Sequence, residues 1–196
     1  QADMTEFTIQ YNKAFKGGHS LNALAGYSWN KNNNQEAFMD NYNFPTDDYS
    51  YNNMAAGTAL KEGKATEKSY QEEYKLVGYF GRINYNYQGR YYLSASIRHE
   101  GSSKFGADHK WGTFPAVSIG WNLKEESFLK NVRFLSFLKL RAGYGITGTI
   151  PGSPYLSLNT LDLGGYGYYG GQWTTLLRAS SNPNSDLRWE KKKETN

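Results

Sequence analysis

The chain has no cysteine, which removes disulfide scaffolds and every thiolate-based metal or redox site. It also has no run near the roughly 18 to 20 apolar residues that a membrane helix requires, and no basic segment followed by an apolar one at its start. Neither a helical anchor nor a signal peptide is therefore expected in these 196 residues. That leaves membranes open, because transmembrane strands alternate and leave only a weak hydropathy trace. Clustered positive charge is missing too: the net charge is +4, but lysine and arginine are scattered among 18 acids, with Lys191 to Lys193 the one short run. A nucleic-acid partner is not expected from such a pattern. Aliphatic residues are scarce relative to rings. Hydrophobic residues make up 38% and mean hydropathy is −0.75, yet 17 Tyr, 10 Phe and 5 Trp bring aromatics to 16%, so the apolar content sits in amphipathic rings. A water-soluble core is usually built otherwise.

What is present is alternation. In GRINYNYQGRYYLSASIRHEGSSKFG, residues 81 to 106, every second residue falls into one of two lists. Ile83, Tyr85, Tyr87, Tyr91, Leu93, Ala95 and Ile97 form a greasy list; Arg82, Asn84, Asn86, Tyr92, Ser94, Ser96 and Arg98 form a polar one. A period of two is the strand signal, and it recurs along the chain. Strands are expected over 6–12, 20–30, 74–87, 90–100, 113–124 and 137–147, with a seventh starting in DLRWEKKKETN, so about seven in all. Gln88 and Gly89 form a two-residue connection at which Gly can supply positive φ. EESFLKNVRFLS reads as a helical turn. Residues 31–72 lose all period and read as a long polar loop, and 148–184 as a second, rich in Gly, Tyr, Ser and Pro.

Two regularities point beyond an ordinary sheet. The strands cluster near ten residues, which suits a tilted strand crossing a bilayer at about 9 to 11, whereas soluble strands average about 5 or 6. Connections alternate between short (13–19, 88–89) and long (31–72, 148–184), with medium ones at 101–111 and 125–136, as in outer-membrane barrels. The expected fold is all-β: part of an antiparallel transmembrane β-barrel with short periplasmic turns and long outer loops. On this reading Val77, Tyr79, Ile83, Tyr85, Leu93, Ile97, Val117, Ile119, Trp121, Leu140 and Tyr144 face lipid. Arg82, Asn84, Ser94, Arg98, Ser118, Lys139 and Arg141 face a watery lumen. The alternative is a soluble or surface β-sandwich that binds carbohydrate through exposed aromatics, its greasy list buried between two sheets.

Four blocks in order, GRINYNYQGRYYLSASIRHEGSSKFG, WGTFPAVSIGW, LKLRAGYGITG and NPNSDLRWEKKKETN, closely resemble the SusC/RagA family of TonB-dependent outer-membrane transporters. The resemblance runs over essentially the whole chain. It implies a barrel of about 22 strands enclosing a plug domain, a SusD-like surface lipoprotein as a lid, and energised import of oligosaccharides or peptides in the outer membrane. The plug, the segment that contacts TonB and most of the strands have no counterpart among these residues. The expectation is an internal piece of the barrel domain spanning 1–196, which could not close around a lumen by itself.

No arrangement points to catalysis, and no cofactor is expected. His19, His99 and His109 fall in different turns or loops without HExxH or Ser/His/Asp spacing. Asp40, Asp47 and Asp48 could offer oxygens to calcium, but EF-hand spacing is missing and a solvated loop is the plainer reading. GYGYYGG lacks the GK[ST] of a phosphate loop. Its rings suit stacking on the C–H face of a sugar, so Tyr166, Tyr168, Tyr169 and Trp173 are the candidate contacts to ligand or lid, against the plainer role of loop packing. GSSKF, beside Arg98, Glu100 and Trp111, is expected to fix a turn.

Overall fold

The computed structural model describes residues 1–196, with side chains accounted for at every position except 50 and 51. It divides into two compact units, Gln1–Ala2 with Asn32–Glu73 and Asp3–Lys31 with Tyr74–Asn196. Nine strands are present: β1 Ala2–Phe15, β2 His19–Asp40, β3 Thr66–Tyr87, β4 Tyr91–Ser102, β5 Trp111–Asn122, β6 Lys139–Thr149, β7 Leu161–Tyr169, β8 Gln172–Ala179 and β9 Glu190–Thr195. Seven of them make one sheet in the order β1-β2-β3-β4-β5-β6-β9, and β7 pairs with β8 alone. A single helical turn, α1 Ser127–Lys130, falls where one was expected.

The strands are longer than their apolar alternation. β2 and β3 each run 22 residues, extending past the expected 20–30 and 74–87 into 40 and back to 66. There the sequence reads KNNNQEAFMD and TEKSYQEE, mostly polar and with Phe38 and Met39 adjacent rather than alternating, so the hydropathic period vanishes while the ladder continues. In the first unit the cross-strand bonds there come from side chains as well: Asn34 Nδ2 donates to Tyr70 Oη at 3.1 Å and Gln71 Nε2 to Asn33 Oδ1 at 3.2 Å. The polar loop expected over 31–72 is thus reduced to 41–65, and that remnant is folded. A 3-10 helix covers Asp47–Ala56, and Asn41 gathers the segment by donating to Met54 O and Gly57 O at 2.7 and 3.0 Å and accepting from Leu60 N at 3.0 Å. The loop carboxylates serve local bonds: Asp48 accepts from Thr46 Oγ1, and Asp40 from the Tyr42 hydroxyl.

In the second unit the sheet is an antiparallel meander from β3 to β6, closed by β9. The β3–β4 turn forms at Gln88–Gly89 as expected. Both residues take positive φ (54° and 68°), and Arg90 N donates to Tyr87 O at 3.0 Å, the pattern of a type I′ turn. The turns at this end are laced to one another: Gln88 N donates to Gly18 O and Asn122 N to Arg90 O, each at 2.7 Å. At the opposite end lies a small core, where Phe105, Phe114 and Trp189 meet with ring centroids 4.8 and 5.0 Å apart, backed by Ile146, Ile150 and Leu187. The GSSKF turn does structural work, as expected, for it carries Phe105 into this core.

The sandwich alternative fails on burial. A sandwich covers its greasy list with a second sheet. Here Ile119 is 59%, Leu140 55% and Ile83 50% exposed, and among the described residues the only other sheet is the β7–β8 hairpin, itself exposed.

Candidate functional site

Cross-strand register sorts the two lists without exception. Residues directly opposite in an antiparallel pair share a face. Asn84, Ser94, Ser118 and Gly143 stand in one row, Arg82, Ser96, Ala116 and Gly145 in the next, and Phe80, Arg98 and Phe114 beyond them. Arg141 is level with Gly120 and Tyr92, and Lys139 with Asn122. All seven residues expected on the watery side, Arg82, Asn84, Ser94, Arg98, Ser118, Lys139 and Arg141, therefore share one face. All eleven of the expected lipid list lie on the other.

The polar face is hydrogen-bonded as a surface. Arg98 forms a two-pronged bond with Glu100 (Nε to Oε2 3.0 Å, Nη2 to Oε1 2.7 Å), reaches Ser28 Oγ at 3.3 Å and lies over the Phe80 ring. Asn84 Nδ2 donates to Asn22 Oδ1, and Asn22 Nδ2 to Asn12 Oδ1, which makes a short amide chain. Lys139 Nζ sits 3.7 Å from the Tyr92 ring centroid. Asn22, Asn84, Ser94, Ser118, Lys139 and Arg141 line an open groove of about 660 Å³. Amide acceptors and donors, hydroxyls and two cations side by side suit a polar, multiply hydrogen-bonding ligand.

The apolar face is bounded by two aromatic rows. At the laced end His19 stacks on Tyr87 at 4.4 Å, Tyr87 on Tyr91 at 6.2 Å and Tyr91 on Trp121 at 6.3 Å. At the other end Tyr27 meets Tyr79 at 5.3 Å, Tyr79 meets Trp111 at 6.3 Å, and His99 stacks on Trp111 at 4.8 Å. Trp111 opens the 12-residue β5 and Trp121 nearly closes it. At about 3.3 Å per residue they stand about 33 Å apart along the strand, which a tilt of about 40° converts to a height of about 25 Å. That is the height of the apolar band between the girdles of an outer-membrane barrel.

Sequence comparison agrees with this geometry. The sequence model of the family described as "TonB dependent receptor-like, beta-barrel" matches residues 2–195. The chain belongs to the TonB-dependent receptor β-barrel family. Within the family it is 36% identical over 191 residues to TonB-dependent receptor P3 of Formosa agariphila, covering 97% of this chain and 18% of that one. It is 51% identical over 82 residues to TonB-dependent receptor SusC of Bacteroides thetaiotaomicron, covering 42% of this chain and 8% of SusC. Its fold matches the RagAB peptide importer in its closed-closed state with a TM-score of 0.82 at 22% identity, over 99% of this chain and 21% of that one. The chain thus spans about a fifth of the length of the TonB-dependent receptor P3 that it matches. It is of the SusC/RagA type, as the four sequence blocks implied.

The aromatic candidates lie on the hairpin that sequence reading passed over as loop. Tyr168 pairs with Trp173 and Tyr166 with Thr175, so Tyr166, Tyr168 and Trp173 share one face, with Tyr168 edge-on to Trp173 at 5.7 Å. Tyr169, opposite Gln172, points the other way. Leu161, Leu163 and Leu177 extend the aromatic face, and all six side chains are exposed.

Two groups were not read from sequence. Lys104 is buried, its ammonium donating to Pro151 O and Gly152 O at 3.0 and 2.7 Å and lying 4.0 Å from the Tyr74 ring centroid. Glu126 accepts from Tyr91 Oη at 2.7 Å and Trp121 Nε1 at 3.0 Å, with Arg90 at 3.6 Å. These bonds from Tyr91 and Trp121, helped by Arg90, hold its carboxyl below the usual range against the opposing effect of burial. Neither residue belongs to a motif, and each partner set is assembled only by the fold.

Proposed function

We propose that this chain is a sector of the wall of an outer-membrane, TonB-dependent transporter that imports oligosaccharides or peptides and is not itself an enzyme. The supporting observation is the sorting of every lipid-list residue onto one face, bounded by two aromatic rows ten residues, about 33 Å, apart along β5. On this reading the polar groove belongs to the lumen, and the short laced turns lie on the periplasmic side. TonB acts through a plug region outside the sequence described, and residues 1–196 form part of the barrel domain alone.

Ser118 and Ile119 are neighbours on β5 with opposite assignments, so they make the test. In intact outer membranes carrying the complete barrel, a small membrane-impermeant thiol reagent is expected to label Ser118→Cys and spare Ile119→Cys. The reverse pattern overturns the assignment of faces.

The hairpin is the proposed contact to a SusD-like lid or to its cargo, together with the folded connection over 41–65. An exposed stripe of rigid rings with polar tips combines large contact area with few rotamers to freeze, a common anchor at binding surfaces. Tyr166, Tyr168 and Trp173 form that stripe, and Tyr169 would act from the opposite face. Alanine at all four is expected to lower uptake or copurification of the lid while leaving barrel assembly intact. Unchanged values of both would reduce these rings to loop packing.

A further inference from the structure

The β5–β6 connection, residues 123–138, carries an apolar surface that neither face of the sheet explains. Phe128, Phe134 and Phe137 are 67%, 92% and 65% exposed. Lys124 Nζ holds the connection by donating to Leu129 O, Lys130 O and Val132 O at 3.1, 3.2 and 2.8 Å, and Lys130 N donates to Glu126 O at 2.9 Å. Three exposed phenylalanines within ten residues, on a segment bonded to Lys124, are a concentration of open apolar surface of the kind that marks an interaction site.

Two observations say what covers them. The first is continuity. Glu126 binds the polar tips of Tyr91 and Trp121, the rings that end the apolar face, so the connection starts where those rings turn from apolar body to polar edge. Tyr and Trp take that orientation at the boundary between acyl chains and headgroups. The second is charge. Lys130 and Arg133 stand exposed between the phenylalanines, while Glu126 is engaged by Tyr91, Trp121 and Arg90. Alternating rings and cations of this kind suit an interface in which phosphates lie beside acyl chain.

We propose that residues 127–137 form an interfacial foot: Phe128, Phe134 and Phe137 enter the acyl–headgroup boundary of the leaflet on the short-turn side, and Lys130 and Arg133 bind the phosphates of anionic phospholipid there. The foot anchors the sector vertically and fixes the depth of the wall. This rests on the assignment of the apolar face to lipid.

The test places an environment-sensitive fluorophore at Phe134→Cys and, separately, at Ile119→Cys in the complete barrel. Both proteins are reconstituted in nanodiscs of phosphatidylcholine with or without phosphatidylglycerol. The expected result is a blue-shifted Phe134-site probe, quenched by spin-labelled lipid and spared by aqueous iodide, with stronger lipid quenching when phosphatidylglycerol is present. Replacing Lys130 and Arg133 by Gln should abolish that preference for anionic lipid. A Phe134-site probe quenched by iodide while the Ile119-site probe stays in lipid overturns the foot and leaves the wall standing. Iodide quenching at both sites overturns the wall and the foot with it. A Phe134-site probe shielded from both quenchers means a protein occupant and overturns the lipid assignment.

Discussion

Lys104 is only 3% exposed in a chain whose leucines and isoleucines are largely open, an inversion that only a well-satisfied ammonium can sustain. Its two carbonyl acceptors at 151 and 152 and the ring of Tyr74 tie the root of the long 150–189 connection to the rim of the sheet. Lys104→Met leaves those carbonyls without their donor and is expected to cost about 1 to 3 kcal/mol, read as a lower unfolding temperature of the complete barrel. Gly106 belongs to the same clasp. A Cβ there would stand 1.8 Å from Ser185 O, a backbone atom that cannot swing aside, so Gly106→Ala is expected to loosen the clasp by a comparable amount. Glu126 sets a pH dependence at the other end. Its folded-state pKa is lowered, so its contribution is present above the ordinary carboxylate range and is lost as pH falls through that range to the lowered value. The unfolding midpoint of the complete barrel should fall over that acidic window. Glu126→Gln should start lower at neutral pH and show a flatter acid limb.

At the scale of the element, β5 shows how strictly face governs tolerance. Val117→Arg places a cation near the middle of the apolar band, between the Trp111 and Trp121 rows, and is expected to cost about 2 to 4 kcal/mol in folding titrations, whereas Ser118→Arg on the adjacent position should be close to neutral. Both outcomes follow from alternation that was legible in the sequence, as were the β3–β4 turn at Gln88–Gly89 and the helical turn after β5. The far halves of β2 and β3 were not legible, because KNNNQEAFMD and TEKSYQEE have no apolar list to alternate with a polar one. The β7–β8 hairpin was missed for a different reason. The register shifts between Leu163 and Tyr166 and so breaks the period of two, although Gly170-Gly171 between two ring-bearing arms was a hairpin signal in plain view. Phe105 meeting Trp189 was beyond any local reading, since Phe105 lies in the β4–β5 connection and Trp189 just before β9, and only the sheet brings them together. Of the four aromatic candidates, pattern alone could not divide Tyr169 from the other three; the ladder does so directly.

For the whole molecule, surface chemistry matters more than core volume. Phe105, Phe114 and Trp189 make one small cluster, while Phe7, Ile9, Ile83, Ile119 and Leu140 lie open. Expressed alone, the chain is expected to stay dispersed only in detergent, and monodisperse behaviour in plain buffer by light scattering would count against the lipid assignment. The proposed import belongs to this scale as well, and growth of a deletion strain on single glycans and on peptides is the measurement that tests it and separates the two classes. Gly18 O with Gln88 N, and Arg90 O with Asn122 N, join each hairpin to the next outside the strand ladders, so neighbouring hairpins cannot slide past one another without first parting at the turns. Pulled apart from the clasp end, such a sheet should unpeel one hairpin at a time in distinct force steps; pulled from the turn end, it should resist as a single body and then rupture at once.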